Sequence, residues 1–374
     1  IFGCDEKKMS IRVVFFNINM YSLFDALSKA PVGGSEVQLF NVARFLSQSS
    51  GFDVSVITGD WGQKLLDKKD GIKIYRSFSI EENIMNYLKA PFLMWRALKA
   101  VDADVYIASS AGAEIGILAL FCRVYGKKFV YRTAHQIDCN REYELNNGWR
   151  GWLYGFGLRN ASVIVTQNVE HQELLAKNSL SATVIRNSFA LNEKDASCNK
   201  RKNILWVSRC EKWKNPNLFL DIIERFPEAS FIMICPQQDH QKELFQNIVD
   251  RAKFLKNLKF EERIPFPEIQ RYFNDAKLFI GTSEYEGFPN TYIQACIGRT
   301  PTISYKVNPD NFITRNNLGY CANGDFERMV ELVDKLLNDR EDWKEKSENS
   351  FRYVKEYHDV EIIGKQWSKL LRGL

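Results

Sequence analysis

The sequence predicts an α/β protein built as two doubly wound, Rossmann-like domains facing a cleft. Three observations carry that expectation. Short β-branched apolar runs alternate with helix-period segments along the whole chain, which is the pattern of a parallel sheet covered on both faces. The alternation stops once, in the polar stretch 189–202, which has no period of its own and reads as a linker. The 374 residues are about twice the length of a common domain.

In the first half, apolar strand-like runs fall at 11–18, 54–58, 72–76, 105–109, 129–132 and 163–166. Helical periodicity fills 35–46, 84–100, 113–125 and 149–159. After the linker, strands are expected at 204–208, 231–235, 258–261, 278–281 and 302–305. Helices are expected at 218–226, 242–255, 269–276, 292–297 and 326–337. The stretch 341–371 is amphipathic and helical, with a break near His358 and Asp359. The expected domains are 9–190 and 203–350.

Composition narrows the class. An apolar fraction of 45% and a charged fraction of 26% exclude disordered, collagenous and coiled-coil chains. The net charge of +5, from 51 basic and 46 acidic residues, is too small and too scattered to indicate nucleic-acid binding. The surplus is uneven: residues 1–190 hold 22 basic and 18 acidic residues, and 123–159 alone hold seven basic and three acidic. The eight cysteines form no C-x-x-C pair and suggest a reducing, cytoplasmic compartment. Cys122, Cys235 and Cys296 lie in apolar runs and are expected to be buried. The apolar runs are too short for a membrane span. There is no signal peptide, and residues 1–8 read as a remnant or a trimmed end.

In open α/β sheets ligands collect at the carboxyl ends of strands, so the loops after strands are where chemistry is expected. Gly33-Gly34-Ser35-Glu36 opens a helix. It either cradles an anion such as a diphosphate or makes a capped turn. His135 follows the run 127–134, as a donor to a phosphate or sugar hydroxyl or as a surface loop histidine. His171, placed at a helix start, is expected to face solvent or cap, and His240 and His358 to lie at the surface. Four separated histidines argue against a metal site. Arg209 and Lys214 follow a strand just before Pro216. They suit a departing diphosphate or form a solvated charged turn, and Lys212 is hard to separate from Lys214. The densest block runs from Thr282 to Ala295. Gly287 permits an unusual backbone angle, the helix start near Asn290 and Thr291 offers N–H groups, and Glu286 and Gln294 can meet sugar hydroxyls.

Taken in order, these residues resemble the retaining, nucleotide-sugar-dependent glycosyltransferases of family 4, which have the GT-B fold. The carriers are Gly33-Gly34-Ser35-Glu36, His135, Asn187 where the family has a Pro-Asn-Gly-like step, Arg209 with Lys214, and Glu286-Gly287-Phe288-Pro289. The block E-G-F-P-N-T-x-x-Q, with GGSEVQ and DADVY, is similar to a bacterial polysaccharide-type subgroup. The resemblance implies an acceptor-binding first domain, a donor-binding second domain, and a final segment, 351–374, that returns to the first. It implies that Arg209 and Lys214 neutralise the leaving diphosphate and that Glu286 touches the transferred sugar. His135 and Gly34, with Gly33, would approach the sugar or its phosphates. The amides of Gly287, Phe288, Pro289, Asn290 and Thr291 would hold sugar and phosphate, and Ile264 and Phe266 would line the base pocket. Gln294 stands where the family has its second glutamate. It keeps an acceptor for a ribose diol and loses the charge, which implies weaker donor binding.

The implied reaction moves a sugar from a UDP- or GDP-sugar to a hydroxyl of a glycan or lipid-linked acceptor, by front-face attack and with retention. No metal or other cofactor is required by the motifs, and no Asp-x-Asp of the kind that holds a metal–diphosphate complex is seen. Alternatives are a GT-B-shaped nucleotide-sugar epimerase and a non-catalytic nucleotide-sugar-binding protein. Basic and aromatic residues at helical spacing in 141–159 and 87–99 suit either a peripheral membrane face of the first domain, at the inner side of the cell membrane, or a core-facing stripe with snorkelling cations.

Overall fold

A computed structural model describes residues 10–191, apart from 26, 29, 80 and 82, and residues 201–374. Most of the expected linker, residues 1–8, Cys4 and Cys198 lie outside these residues. The chain divides into two units, one of residues up to Ala190 together with Val360–Leu374, the other of Leu191–Asp359.

The first unit contains β1 (Ile11–Phe16), α1 (Gly34–Gln48), β2 (Phe52–Asp60), β3 (Leu66–Lys69), β4 (Ile72–Ser79) and α2 (Ile84–Val101). There follow β5 (Val105–Ser109), α3 (Ala113–Tyr125), β6 (Lys128–Arg132), α4 (Glu142–Asn146), α5 (Gly148–Arg159), β7 (Val163–Thr166), α6 (Val169–Lys177) and β8 (Ala182–Val184). The strands form one sheet in the order β3-β4-β2-β1-β5-β6-β7-β8. Every pairing is parallel except that of β3 with β4. Val13, Val14 and Phe15 of β1 are wholly buried because β1 is central and covered on both faces. β3 was not expected: Leu-Asp-Lys-Lys has no apolar face, and it pairs only as an edge strand.

The second unit contains β9 (Asn203–Val207), α7 (Pro216–Arg225), β10 (Ser230–Ile234), α8 (Lys242–Ala252), β11 (Leu258–Glu261), α9 (Phe266–Asp275) and β12 (Ala276–Gly281). It continues with α10 (Asn290–Ile297), β13 (Thr302–Ser304), α11 (Phe312–Arg315), β14 (Gly319–Cys321), α12 (Phe326–Asn338) and α13 (Arg340–Tyr357). Its six strands are all parallel, in the order β11-β10-β9-β12-β13-β14. Pro216 at the first turn of α7 costs no hydrogen bond, since that N–H has no helical partner.

The chain breaks at His358 and Asp359 and resumes as α14 (Val360–Arg372). The helix α13 stays with the second unit, so the segment that joins the first begins at Val360. Ile363, Trp367 and Leu371 of α14 complete the core formed by β1, β2 and α1. The Val360 N–H donates to the Phe189 carbonyl at 2.9 Å.

Two histidines depart from expectation. His171 and His358 are buried, and only His240 is exposed. The His358 ring packs against Phe288 and Tyr353. Cys122, Cys235 and Cys296 are buried as expected.

Candidate active site

In the second unit two neighbouring strands, β9 and β12, end side by side, and the loops after them interlock. The Thr282 hydroxyl accepts from Trp206 Nε1 at 2.8 Å and donates to the Lys214 carbonyl at 2.7 Å. The Glu284 N–H donates to the Trp213 carbonyl at 2.9 Å. Trp213 and Tyr285 stack with ring centroids 5.3 Å apart and planes 10° from parallel. Asn215 ends the first loop in a left-handed conformation (φ +51°), a state that asparagine tolerates, and hands the chain to α7.

This framework sets the charged groups. Lys214 Nζ donates to Glu286 Oε1, and the same oxygen accepts from Ser283 Oγ at 2.8 Å. Lys214 Nζ also lies 4.0 Å from the centre of the Trp213 ring. Burial lowers the Lys214 pKa; Glu286 opposes that shift and the charge of Arg209 adds to it. Arg209 itself is exposed. Packing places the two lysines differently: Lys212 is exposed, and Lys214 turns inward to the carboxylate.

The rest of the block is placed on the same edge. Asn290 and Thr291 open α10 and are half-buried, and Gly287, Phe288 and Pro289 before them are buried. The Phe288 ring packs against Phe312 at 4.7 Å, so only its backbone is left for a ligand. Gly287 has no positive φ, contrary to expectation, so its backbone is within reach of any residue. Gln294 is buried in α10, and its carbonyl accepts from Gln270 Nε2 at 3.0 Å. Ile264 and Phe266 follow β11, two strands away from β9, and both are half-buried.

In the first unit the expected residues gather at the carboxyl ends of β1 and β6. Gly33 caps α1 in extended backbone (φ −119°), so neither a left-handed angle nor a strained turn explains it. Glu36 is buried, accepting from Asn17 Nδ2 at 3.2 Å and Ser35 Oγ at 3.0 Å. Gln38 clamps both backbone groups of Ser188, at 2.6 and 3.3 Å. Much of the GGSEVQ motif therefore anchors neighbouring segments.

His135 caps a short turn reciprocally with Asp138. Asp138 Oδ2 accepts from the N–H groups of Ala134 at 2.6 Å and His135 at 3.0 Å. His135 Nδ1 accepts from the Ile137 N–H at 3.4 Å, which leaves the ring proton on Nε2. Burial pushes the Asp138 carboxyl up to about 6, against those two N–H donors. Asn187 accepts from Arg132 Nη2, and Arg132 is buried at the end of β6 with its pKa lowered by burial to about 10. Arg132 was not anticipated; its signal was a cation closing the apolar run Phe129-Val-Tyr-Arg132.

Among the described residues no group of three or more His, Cys, Asp or Glu side chains could hold a metal ion. Asp102-Ala-Asp104 does read Asp-x-Asp. It sits before β5, at the opposite edge from the strand ends, and its carboxylates pair with Arg12 and Lys127.

Comparisons with known proteins follow this division. Residues 32–192 match Glycosyltransferase Family 4, and residues 188–353 match the family described as glycosyl transferases group 1. Among curated relatives, an uncharacterised glycosyltransferase of Haemophilus influenzae is 21% identical over 93% of this chain and 99% of its own length. A Campylobacter jejuni α-1,4-N-acetyl-D-galactosaminyltransferase, named for an undecaprenol-diphosphate-linked acceptor, is 22% identical over 91% of this chain and 95% of its own. Among solved structures, Anabaena HepE in complex with UDP and glucose matches at TM-score 0.76 and 16% identity, covering 97% of this chain and all of that one. Sucrose-phosphate synthase of Thermosynechococcus elongatus matches at TM-score 0.79 and 13% identity, covering 97% and 98%.

Proposed function

The chain belongs to the family-4 glycosyltransferases of GT-B fold, and from that premise we propose a retaining transferase that moves a hexosyl-type sugar from a UDP- or GDP-sugar to a glycan or lipid-linked hydroxyl. It would act in polysaccharide or glycoconjugate synthesis, in the cytoplasm or at the inner face of the cell membrane. The second unit takes the donor and the first the acceptor. Arg209 and Lys214 neutralise the diphosphate as it departs, and the phosphate oxygen takes the acceptor proton. Glu286 orients the transferred sugar while it holds Lys214. The opening of α10 at Asn290 and Thr291 supplies N–H groups, Gln294 accepts from the ribose, and Ile264 and Phe266 flank the base. On the acceptor side His135 offers Nε2–H, and the Gly33-Gly34 loop offers backbone at the start of α1. The reaction as proposed needs no metal.

The single observation that carries this reading is the largely buried Lys214–Glu286 pair, with Arg209 beside it, at the carboxyl ends of adjacent parallel strands. A lysine taken out of water is the type of group that a bound diphosphate would stabilise in its charged form. That structures similar in fold are complexes with UDP, or with UDP-glucose, supports the choice of donor.

The test is a thermal-shift screen against UDP, GDP, ADP and their sugars, followed by release of nucleotide diphosphate in the presence of glycan and lipid-linked acceptors. Arg209→Ala and Glu286→Ala are each expected to lower turnover by about 10²–10³-fold with the fold retained. Near-normal turnover in both purified variants would sink the assignment.

A further inference from the structure

The geometry points to a docking face for an anionic lipid bilayer on the first unit, built from the exposed side of α2, where Leu88, Lys89, Phe92, Arg96 and Lys99 follow at helical spacing, and from the N-terminal half of α5. Both helices begin on the carboxyl-end side of the sheet, since α2 follows β4 and α5 follows β6 by way of the His135 turn.

The first half of α2 is anomalous for a water-facing helix. Leu88 is 72% exposed and Phe92 69%, and Ile84, Met85 and Tyr87 are exposed with them. The second half of α2 is ordinary, with Met94, Ala97 and Leu98 buried and Trp95 packed on Phe121 at 5.1 Å. On α5, Trp149 is 59% and Trp152 64% exposed, whereas Tyr154 and Leu158 are buried. The two helices are joined at this face. Arg150 Nη2 donates to the Tyr87 hydroxyl, and its guanidinium lies 5.1 Å from the Tyr87 ring and 5.6 Å from the Trp149 ring. Exposed apolar groups scattered singly need no explanation, but a contiguous set on two joined helices marks a contact surface.

Charge selects the occupant. Helices α2 and α5 carry Lys89, Arg96, Lys99, Arg150 and Arg159 and no acidic residue. Arg159 is neutralised by Glu144 of α4. Lys89, Arg96 and Lys99 are exposed and pair with no carboxylate among the described residues. Interfacial tryptophans and aliphatic side chains among unneutralised cations match a bilayer whose headgroups are anionic. Among the described residues no helix is long and apolar enough to cross a membrane, so the contact is one of lying on the surface. The face deepens the reading of a membrane-borne acceptor, but its test uses no sugar substrate. Its failure would leave the transferase assignment intact.

The experiment is co-sedimentation of the full chain with phosphatidylcholine vesicles, with and without phosphatidylglycerol, at low and high salt. Binding is expected only with phosphatidylglycerol, weakening as salt rises. Removing three cations together, Lys89→Gln, Arg96→Gln and Lys99→Gln, should weaken it about a hundredfold, from about fivefold per charge. Leu88→Asn with Phe92→Asn should weaken binding and leave the salt dependence unchanged. The blue shift of tryptophan emission on binding should shrink in Trp149→Phe with Trp152→Phe. All three variants replace exposed side chains and are expected to melt as the parent does. No binding at low salt, binding by the first two variants equal to the parent's, or a dimer in solution that Phe92→Asn dissolves would each overturn the proposal.

Discussion

Lys214 donates to Glu286 across 72 positions of sequence, and both side chains are largely buried, 13% and 12% exposed. The pair exists because β9 and β12 are neighbours, so loops far apart in the chain end at one place. Burial depresses the lysine pKa, and the carboxylate is the main force opposing that. A diphosphate arriving there would add a second such force. UDP binding at alkaline pH, above the lowered Lys214 pKa, is therefore expected to take up protons. Calorimetry in two buffers of different ionisation enthalpy reads the uptake directly. Lys214→Met should abolish it, and uptake that survives this substitution would place the titrating group elsewhere.

Removing the carboxylate tests the pair from its other side. Glu286→Ala removes the main group opposing burial and leaves only the weaker pull of Glu211 against Arg209, so the Lys214 pKa falls further. The upper pH limit of turnover is expected to move down in this variant, and that of Glu286→Asp to move less. Identical pH profiles in parent and Glu286→Ala would show that the lysine does not titrate in the reaction.

Asp138 gives a stability prediction with a defined sign. Its carboxyl is raised from 3.8 to about 6 by burial. Between those values the folded chain binds more protons than the unfolded one, so this contribution is full below 3.8 and is lost as pH rises through about 6. Asp138→Asn keeps an acceptor for the Ala134 and His135 N–H groups and removes the ionisation. The variant is expected to gain on the parent between about pH 4 and 7, by on the order of 1–3 kcal/mol. Chemical denaturation across that range checks it, and a constant difference would refute it.

The alternation of strands and helices was legible because both sheets are buried on two faces, which leaves each strand as an apolar run. The ordering of Gly33, His135, Arg209 and Glu286 was legible because each follows a strand. β3 escaped because three of its four residues, Asp67, Lys68 and Lys69, are charged and Leu66 alone makes no apolar run, although Asp70-Gly71, both at positive φ, form the turn that joins it to β4. His171 and His358 were misplaced because a histidine buried by tertiary packing has no local signature. The stripe 141–159 was half core and half exposed, a division set by which face of α5 meets α3. The choice of Lys214 over Lys212 rests on a contact with a residue far along the chain, which no local window contains.

The approach of α5 to α3 gives a packing prediction. A Cβ on Gly116 would lie 2.3 Å from the Leu153 carbonyl oxygen, and one on Gly157 would lie 2.8 Å from the backbone of Ile115. Neither obstacle is a flexible side-chain tip, so the helices must separate to admit a methyl group. Gly116→Ala is expected to destabilise the first unit by about 1–3 kcal/mol, despite the better helix propensity of alanine. A melting temperature equal to the parent's would mean that the helices are not in this contact.

The last helix is a structural part of the first unit, and Trp367 is its anchor. The side chain is wholly buried against the core of β1, β2 and α1, and its Nε1–H has no hydrogen-bond partner among the described residues. Trp367→Ala removes the largest side chain of that contact and leaves a cavity, at a cost of about 3–5 kcal/mol. Trp367→Phe leaves a smaller cavity and also removes a buried donor that no described residue satisfies, which offsets part of the loss. The phenylalanine variant is therefore expected to retain most of the stability that alanine forfeits, as read by denaturant midpoints. Equal losses in the two variants would indicate that the indole N–H finds a partner in solution, so that its removal brings no relief.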